Sequence, residues 1–260
     1  MKLIKAIVLT YDRNRVLTDH MIQCYEKLWP NHPFIFQVPY QELPPSVQTN
    51  RVQYTYCPAD IQGTVRTLLH NLDDEEMVYW CIDDKYPIWL NIRRIENIHQ
   101  YLFSSNESII SGLLFCRCRG MWNKKNLTGK KWTDNQGNVY LERRNYQQIW
   151  IHQYLKVKVL RHLFNSFPEQ IPTAKAMDHF KDKEEKPKSH QIFVTHDNLS
   201  IFGESTSRGV LTLNCLNSLN TLNLKAPAWA SEVTPYEIRM GDNFKTKFSL
   251  FIHMLTKRFI

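Results

Sequence analysis

Asp83 and Asp84 are the residues best placed to do chemistry, because they end the apolar run Met77-Val78-Tyr79-Trp80-Cys81-Ile82 and are followed by Lys85-Tyr86-Pro87. An apolar run of that length reads as a buried strand, and open α/β sheets bind ligands beyond the carboxyl ends of their strands. Two adjacent carboxylates in that position suit a hard divalent cation, Mg²⁺ or Mn²⁺, held together with phosphate oxygens. The same pair would also serve as an N-terminal cap for a following helix.

A second constellation is Gly203-Glu204-Ser205-Thr206-Ser207-Arg208-Gly209. Glycines, hydroxyls and a guanidinium in one short segment fit a loop that closes on phosphates, with Ser205 and Arg208 as its ligands. Ordinary surface loops have the same composition. A carboxylate beside an acceptor hydroxyl would serve as proton acceptor, and the candidates are Asp178, Glu204 and Glu142, with Asp178 favoured for its place after the apolar, proline-bearing stretch from Phe164 to Pro172. His152, His190 and His196 have no metal-ligand spacing. Trp122 and Trp132 stand in a polar segment where either could stack on a sugar ring, whereas Trp80, Trp89, Trp150 and Trp229 are expected in the core.

These groups need a scaffold, and the pattern along the chain supplies one. Ile4 to Thr10 reads as a strand. Asn14 to Trp29 reads as a helix, with Leu17, Met21, Cys24 and Leu28 on one face. Pro33 to Val38 reads as a second strand. A helix marked by Val65, Leu68, Leu69 and Leu72 leads into the Tyr79–Asp84 strand, and another follows with Ile88, Ile92, Ile95, His99 and Leu102 on one face. After a strand from Ser108 to Cys116, residues 117–138 read as a long polar loop. Asn145 to Phe164 reads as one helix, Lys181 to Lys188 as a solvated charged run, Gln191 to Thr195 as a short strand, and 202–209 as a loop. Strands alternating with helices predict an α/β fold with a mostly parallel central sheet flanked by helices, an irregular acceptor-side region and a C-terminal helix. One domain spanning 1–260 is expected, with a nucleotide-binding half (about 1–116) and an acceptor-side half (about 117–260).

The 260 residues are 43% apolar and carry a formal charge of +8, which allows a sizeable core and favours anionic partners. Six cysteines without metal or disulfide spacing suit a reducing, cytoplasmic setting, in which the sequons at Asn106 and Asn126 would go unused. The apolar start is too short for a secretion signal. No run approaches the roughly 18 apolar residues that span a bilayer. Asp242 to Ile260, with Phe244, Phe248, Phe251, Leu255 and Phe259 interleaved with lysines and Arg258, reads as an amphipathic helix that either packs on the domain or touches an anionic membrane.

Ile82-Asp83-Asp84 after a strand, Leu9-Thr10-Tyr11-Asp12-Arg13 ending the first strand, and Arg66 opening a helix between them together resemble the GT-A class of glycosyltransferases. More narrowly, the chain looks like small nucleotide-sugar-dependent glycosyltransferase domains of large algal DNA viruses and some bacteria. The resemblance implies a nucleoside-diphosphate-sugar donor and a glycan or lipid-linked hydroxyl acceptor such as polysaccharide biosynthesis uses; inversion is the expected outcome, with retention the open alternative. It implies that Thr10, Tyr11, Asp12 and Arg13 contact base and ribose. Arg66 would approach the phosphates, and Asp83 and Asp84 would touch ribose and metal, with Asp84 the metal ligand. Lys85 departs from the usual Asp-X-Asp form and would replace part of the cation's charge or point away. The rivals are a nucleic-acid-binding module, supported by the net charge and the basic segment Arg117 to Lys131, and a nucleotidyltransferase. No recognised nucleic-acid motif is present, and no nucleic acid is expected as partner.

Overall fold

The computed structural model describes residues 1–42, 49–104, 109–116, 124–169, 171 and 173–236. The C-terminal amphipathic segment, Trp122 and the Asn106 sequon lie outside the described residues.

The first strand, β1 (Ile4–Leu9), leads through a 3-10 turn at Asp12–Asn14 into helix α1 (Arg15–Leu28), then β2 (Phe34–Tyr40), β3 (Val52–Tyr56), α2 (Ile61–Leu69), β4 (Met77–Ile82), β5 (Lys85–Leu90), α3 (Ile92–Ser104) and β6 (Gly112–Leu114). The second half adds β7 (Leu127–Thr133), β8 (Val139–Arg143), β9 (Gln153–Lys156), α4 (Val157–Ser166), α5 (Ala174–Lys181), β10 (Ile192–Thr195), β11 (Ser200–Glu204), β12 (Thr206–Ser207), β13 (Val210–Thr212), α6 (Leu213–Thr221) and β14 (Val233–Thr234).

Nine strands form one sheet in the order β3-β2-β1-β4-β9-β6-β10-β8-β7. The strands β3, β2, β1 and β4 are parallel neighbours, as are β6 and β10, while β9 and β8 run against the rest. The sheet is therefore mixed but mostly parallel, and it continues across residue 116. Every residue of β4 is buried because both its faces are covered. Met77, Tyr79 and Cys81 join a core that includes residues of α1 and α3, whereas Val78, Trp80 and Ile82 join a second core with α2 and α4. That two-sided burial is why its sequence is a continuous apolar run rather than an alternating one.

Several expected elements differ. Asp83 and Asp84 form the turn between β4 and β5, so no helix follows them and the capping role falls away. Ile88 lies in β5, which pairs antiparallel with β11 in a separate two-stranded sheet, and the helix begins only at Ile92. The expected helix from 145 to 164 is instead a turn region, then β9, then α4. Part of the expected polar loop is β7, where Trp132 stacks on Tyr140 at 5.1 Å and meets Tyr101 at 5.3 Å, a packing role rather than an open sugar platform. The charged run is less solvated than expected. Lys181 is buried between Asp178 and Asp182, and the shielded Lys186 ammonium lies 3.6 Å from Glu142.

The expected loop at 202–209 is the end of β11 followed by a hairpin. Arg208 and Gly209 both have positive φ, 54° and 82°, between the paired Ser207 and Val210. That pair of left-handed residues is what a two-residue hairpin turn demands, so Gly209 serves chain reversal.

Candidate functional site

A cavity of about 610 Å³ opens beyond the carboxyl ends of β1 and β4. Thr10 and Tyr11 border it after β1, Gln41 after β2, and Asp83, Asp84 and Lys85 after β4. The first turn of α2, with Asp60, and the first turn of α5, with Thr173 and Lys175, close it from the other side together with Trp150 and Asp178. Asp60 caps α2 by accepting a hydrogen bond from the Gly63 amide at 2.6 Å, and Thr173 caps α5 by accepting from the Ala176 amide at 3.2 Å.

Asp83 is buried, and its Oδ2 accepts hydrogen bonds from the Thr10 hydroxyl at 2.8 Å and the Asn14 amide at 2.9 Å. Burial, reinforced by the neighbouring Asp84 charge, raises its pKa to about 7. The Asp84 carboxylate instead leans on Lys85. The Lys85 ammonium, whose side chain is 8% exposed, lies 2.9 Å from Asp84 Oδ1 and 2.9 Å from Glu204 Oε1. Burial works against the lysine charge, but the two carboxylates overcome it and its pKa is raised. Lys85 and Glu204 face each other in the β5–β11 ladder, and the Ser205 amide donates to the Asp84 carbonyl at 2.7 Å. The acidic turn is thus clamped to the second sheet.

Behind the turn, His152 Nε2 donates to the Ile82 carbonyl at 2.9 Å, which assigns its tautomer. Nδ1 then accepts from the Tyr25 hydroxyl at 2.7 Å, and Tyr79 is 2.9 Å from Tyr25. Burial lowers the His152 pKa to about 4, so it supports the turn as a neutral ring.

The structure brings together Thr10, Tyr11, Asp83, Asp84, Lys85 and Asp178 on the cavity wall. It does not bring the others there. Asp12 is engaged by Arg15 at 2.8 Å and by the amides of Gln41 and Glu42. Arg13 stacks on Trp229 at 5.3 Å, and Arg66 sits in the last turn of α2, not its first, bonded to Asn165. Ser205 is buried behind the turn, Arg208 is exposed at the hairpin tip, and Glu204 is held by Lys85 outside the cavity lining. Gln41, Asp60, Trp150 and Lys175 are cavity residues the sequence reading missed. The Asp60 cap was legible as helix chemistry, whereas Trp150 was hidden by a false helical stripe.

Among the described residues the cavity wall carries four carboxylates (Asp60, Asp83, Asp84, Asp178) and two ammonium groups (Lys85, Lys175). An anionic diphosphate would meet an excess of negative charge there unless a cation came with it. The oxygens left over decide whether the divalent cation implied by the resemblance fits. Among the described residues, no hydrogen bond reaches Asp83 Oδ1 or Asp84 Oδ2. No group of three or more metal-ligating side chains occurs among them either, so the protein offers two carboxylate oxygens. That set fits Mg²⁺ or Mn²⁺, which characteristically take one or two carboxylates and complete their shell with phosphate oxygens and water.

No family model and no curated protein matches the sequence. Among solved structures, 49 chains match. The 4-diphosphocytidyl-2C-methyl-D-erythritol synthase of Anaerococcus prevotii is similar over 85% of this chain and 96% of its own, at 10% identity and a TM-score of 0.41. The TarS 1–349 fragment of S. aureus is similar over 78% of this chain and 60% of its own, at 16% identity and a TM-score of 0.44. The glycosyltransferase GlyE of Streptococcus pneumoniae is similar over 72% of this chain and 46% of its own, at 8% identity and a TM-score of 0.39. Likenesses this distant leave the chemistry to the cavity's own residues. Among the described residues no helix is long and apolar enough to cross a membrane.

Proposed function

We propose that the protein is a glycosyltransferase that moves a sugar from a nucleoside-diphosphate donor to a hydroxyl acceptor. The observation that carries this reading is the pair Asp83-Asp84 on a clamped turn at the end of β4, with one free oxygen each, in a cavity large enough for a nucleotide sugar. The nucleoside lies on the β1–β2 side, where Tyr11 offers a half-exposed ring and Gln41 offers a polar edge. Asp83 and Asp84 would hold a divalent cation, Mg²⁺ or Mn²⁺, whose charge would offset that developing on the diphosphate. Lys85 fixes the Asp84 carboxylate, and Lys175 adds a second positive group across the cavity. Asp178 Oδ2 accepts the proton of the attacking hydroxyl, in a transfer that inverts the anomeric centre. Among the described residues no cysteine is in a disulfide.

Calorimetric titration with uridine, guanosine, adenosine and cytidine diphosphates, with and without Mn²⁺, tests the reading. Expected is binding of at least one diphosphate that weakens at least tenfold without Mn²⁺ or in Asp84→Asn. Folded protein that binds none of them overturns it. Release of free diphosphate from a bound donor, rather than formation of a new nucleotide–sugar bond, separates glycosyl from nucleotidyl transfer.

A further inference from the structure

The wall of the cavity opposite the nucleoside side is built around Trp150. It lies just before β9, and β9 is the neighbour of β4 on the side away from β1. Trp150 therefore sits beyond the acidic turn, where a donor's sugar end would face its acceptor. The half-buried indole packs edge-on to Phe164, with centroids 6.3 Å apart and planes at 78°, while bordering the cavity. Its Nε1 donates a 2.6 Å hydrogen bond to Asp178 Oδ1. The same oxygen is 3.1 Å from the buried Lys181 ammonium, so carboxylate and indole are fixed together.

The lining that includes this ring also carries Asp178, Thr173 and Lys175 as polar groups, with Ala174 between the last two. A fixed aromatic face hydrogen-bonded to a carboxylate, in a cavity that also carries a hydroxyl and an ammonium, is matched to a pyranose, whose C–H face packs on the indole while its hydroxyls bond to those polar groups. We propose that Trp150 is the platform for a saccharide acceptor and that Asp178 both orients it and receives the acceptor's proton. The inference rests on the glycosyltransferase reading. In the step itself, the acceptor oxygen forms a bond to the anomeric carbon as the bond from that carbon to the diphosphate oxygen breaks. The bonding pair leaves with the diphosphate, and the hydroxyl proton passes to Asp178 Oδ2.

Saturation-transfer NMR with methyl pyranosides and the common disaccharides, on protein loaded with Mn²⁺ and its preferred nucleoside diphosphate, tests this. Expected is saccharide signal in the wild type that weakens at least tenfold in Trp150→Ala, with diphosphate affinity unchanged within twofold. If Trp150→Ala does not fold, Trp150→Phe keeps the packing on Phe164 but loses the N–H bond, and should weaken saccharide binding about fivefold. No saccharide signal in the wild type, saccharide binding indifferent to both substitutions, or an equal loss of diphosphate affinity each overturns the proposal. Failure of the wild type to bind any diphosphate counts instead against the reading beneath it.

Discussion

Acidification should unfold this protein unusually early, because five histidines are buried neutral. His20, His32, His99, His152 and His190 each have a pKa lowered from 6.5 to about 4, chiefly by burial. Their rings are committed as neutral partners. The Phe34 amide donates to His32 Nδ1 at 3.2 Å, His99 bridges the Lys2 carbonyl and the Tyr154 hydroxyl, and His190 lies 2.9 Å from the Tyr146 hydroxyl. A lowered pKa in the folded state means the unfolded chain binds protons first. The stability is therefore fully present above pH 6.5 and is lost as pH falls from 6.5 towards 4. At pH 5 each ring costs about 2 kcal/mol, so five together cost about 10 kcal/mol. Asp83 works the other way, since its raised pKa makes the folded state the better proton binder between about 4 and 7, and it restores about 3 kcal/mol. The net loss of about 7 kcal/mol between pH 8 and pH 5 is comparable with the whole stability of an ordinary domain. Urea unfolding followed by circular dichroism at pH 8, 7, 6 and 5 measures it, and His99→Gln should reduce the fall by about 2 kcal/mol. A loss under about 2 kcal/mol across that range would refute the assignment of these rings as buried and neutral.

Other consequences follow from the clamp and the helix cap. Lys85→Met leaves Asp84 and Glu204 without their shared cation and should cost about 3–5 kcal/mol at pH 8 in urea unfolding. It should also weaken diphosphate binding, because the Asp84 carboxylate is no longer held. Gly63→Ala puts a methyl 2.5 Å from Asp60 Oδ2 and 3.0 Å from Pro58 Cβ, so it should break the α2 cap and cost about 1–2 kcal/mol in the same assay. Retained thermal stability in that variant would mean that α2 is not capped by Asp60.

What the sequence revealed depended on how many faces each element buries. A strand covered on both sides, such as β4, spells itself out as an apolar run, and α1 declares itself by one apolar stripe. The strand β5 carries Pro87 and leaves Ile88 and Trp89 only partly buried, and Ile88 happens to continue the period of α3, so the sequence pattern starts the helix four residues too early. The false helix before α4 has the same origin. Tyr154 on β9 joins the core on one side of the sheet while Val157 begins a helix on the other, and their spacing imitates a single stripe.

Charge was the least readable property of the candidate site. The chain carries +8; the resemblance implies Arg13 at the base and ribose and Arg66 near the phosphates, and the composition of the 203–209 segment suggests Arg208 as a phosphate ligand. Folding sends Arg13 to Trp229, Arg66 to Asn165 and Arg208 to a hairpin tip, while four carboxylates and two lysines converge on the cavity. Net charge governs long-range attraction, whereas a bound diphosphate feels the groups within a few ångströms. For the donor proposed above, a site whose described lining is acidic in a basic chain attracts the anion from afar and opposes it at close range. In the proposed reading the positive charge arrives with the ligand as a divalent cation, which Asp83 and Asp84 would receive through the oxygens that no hydrogen bond reaches among the described residues.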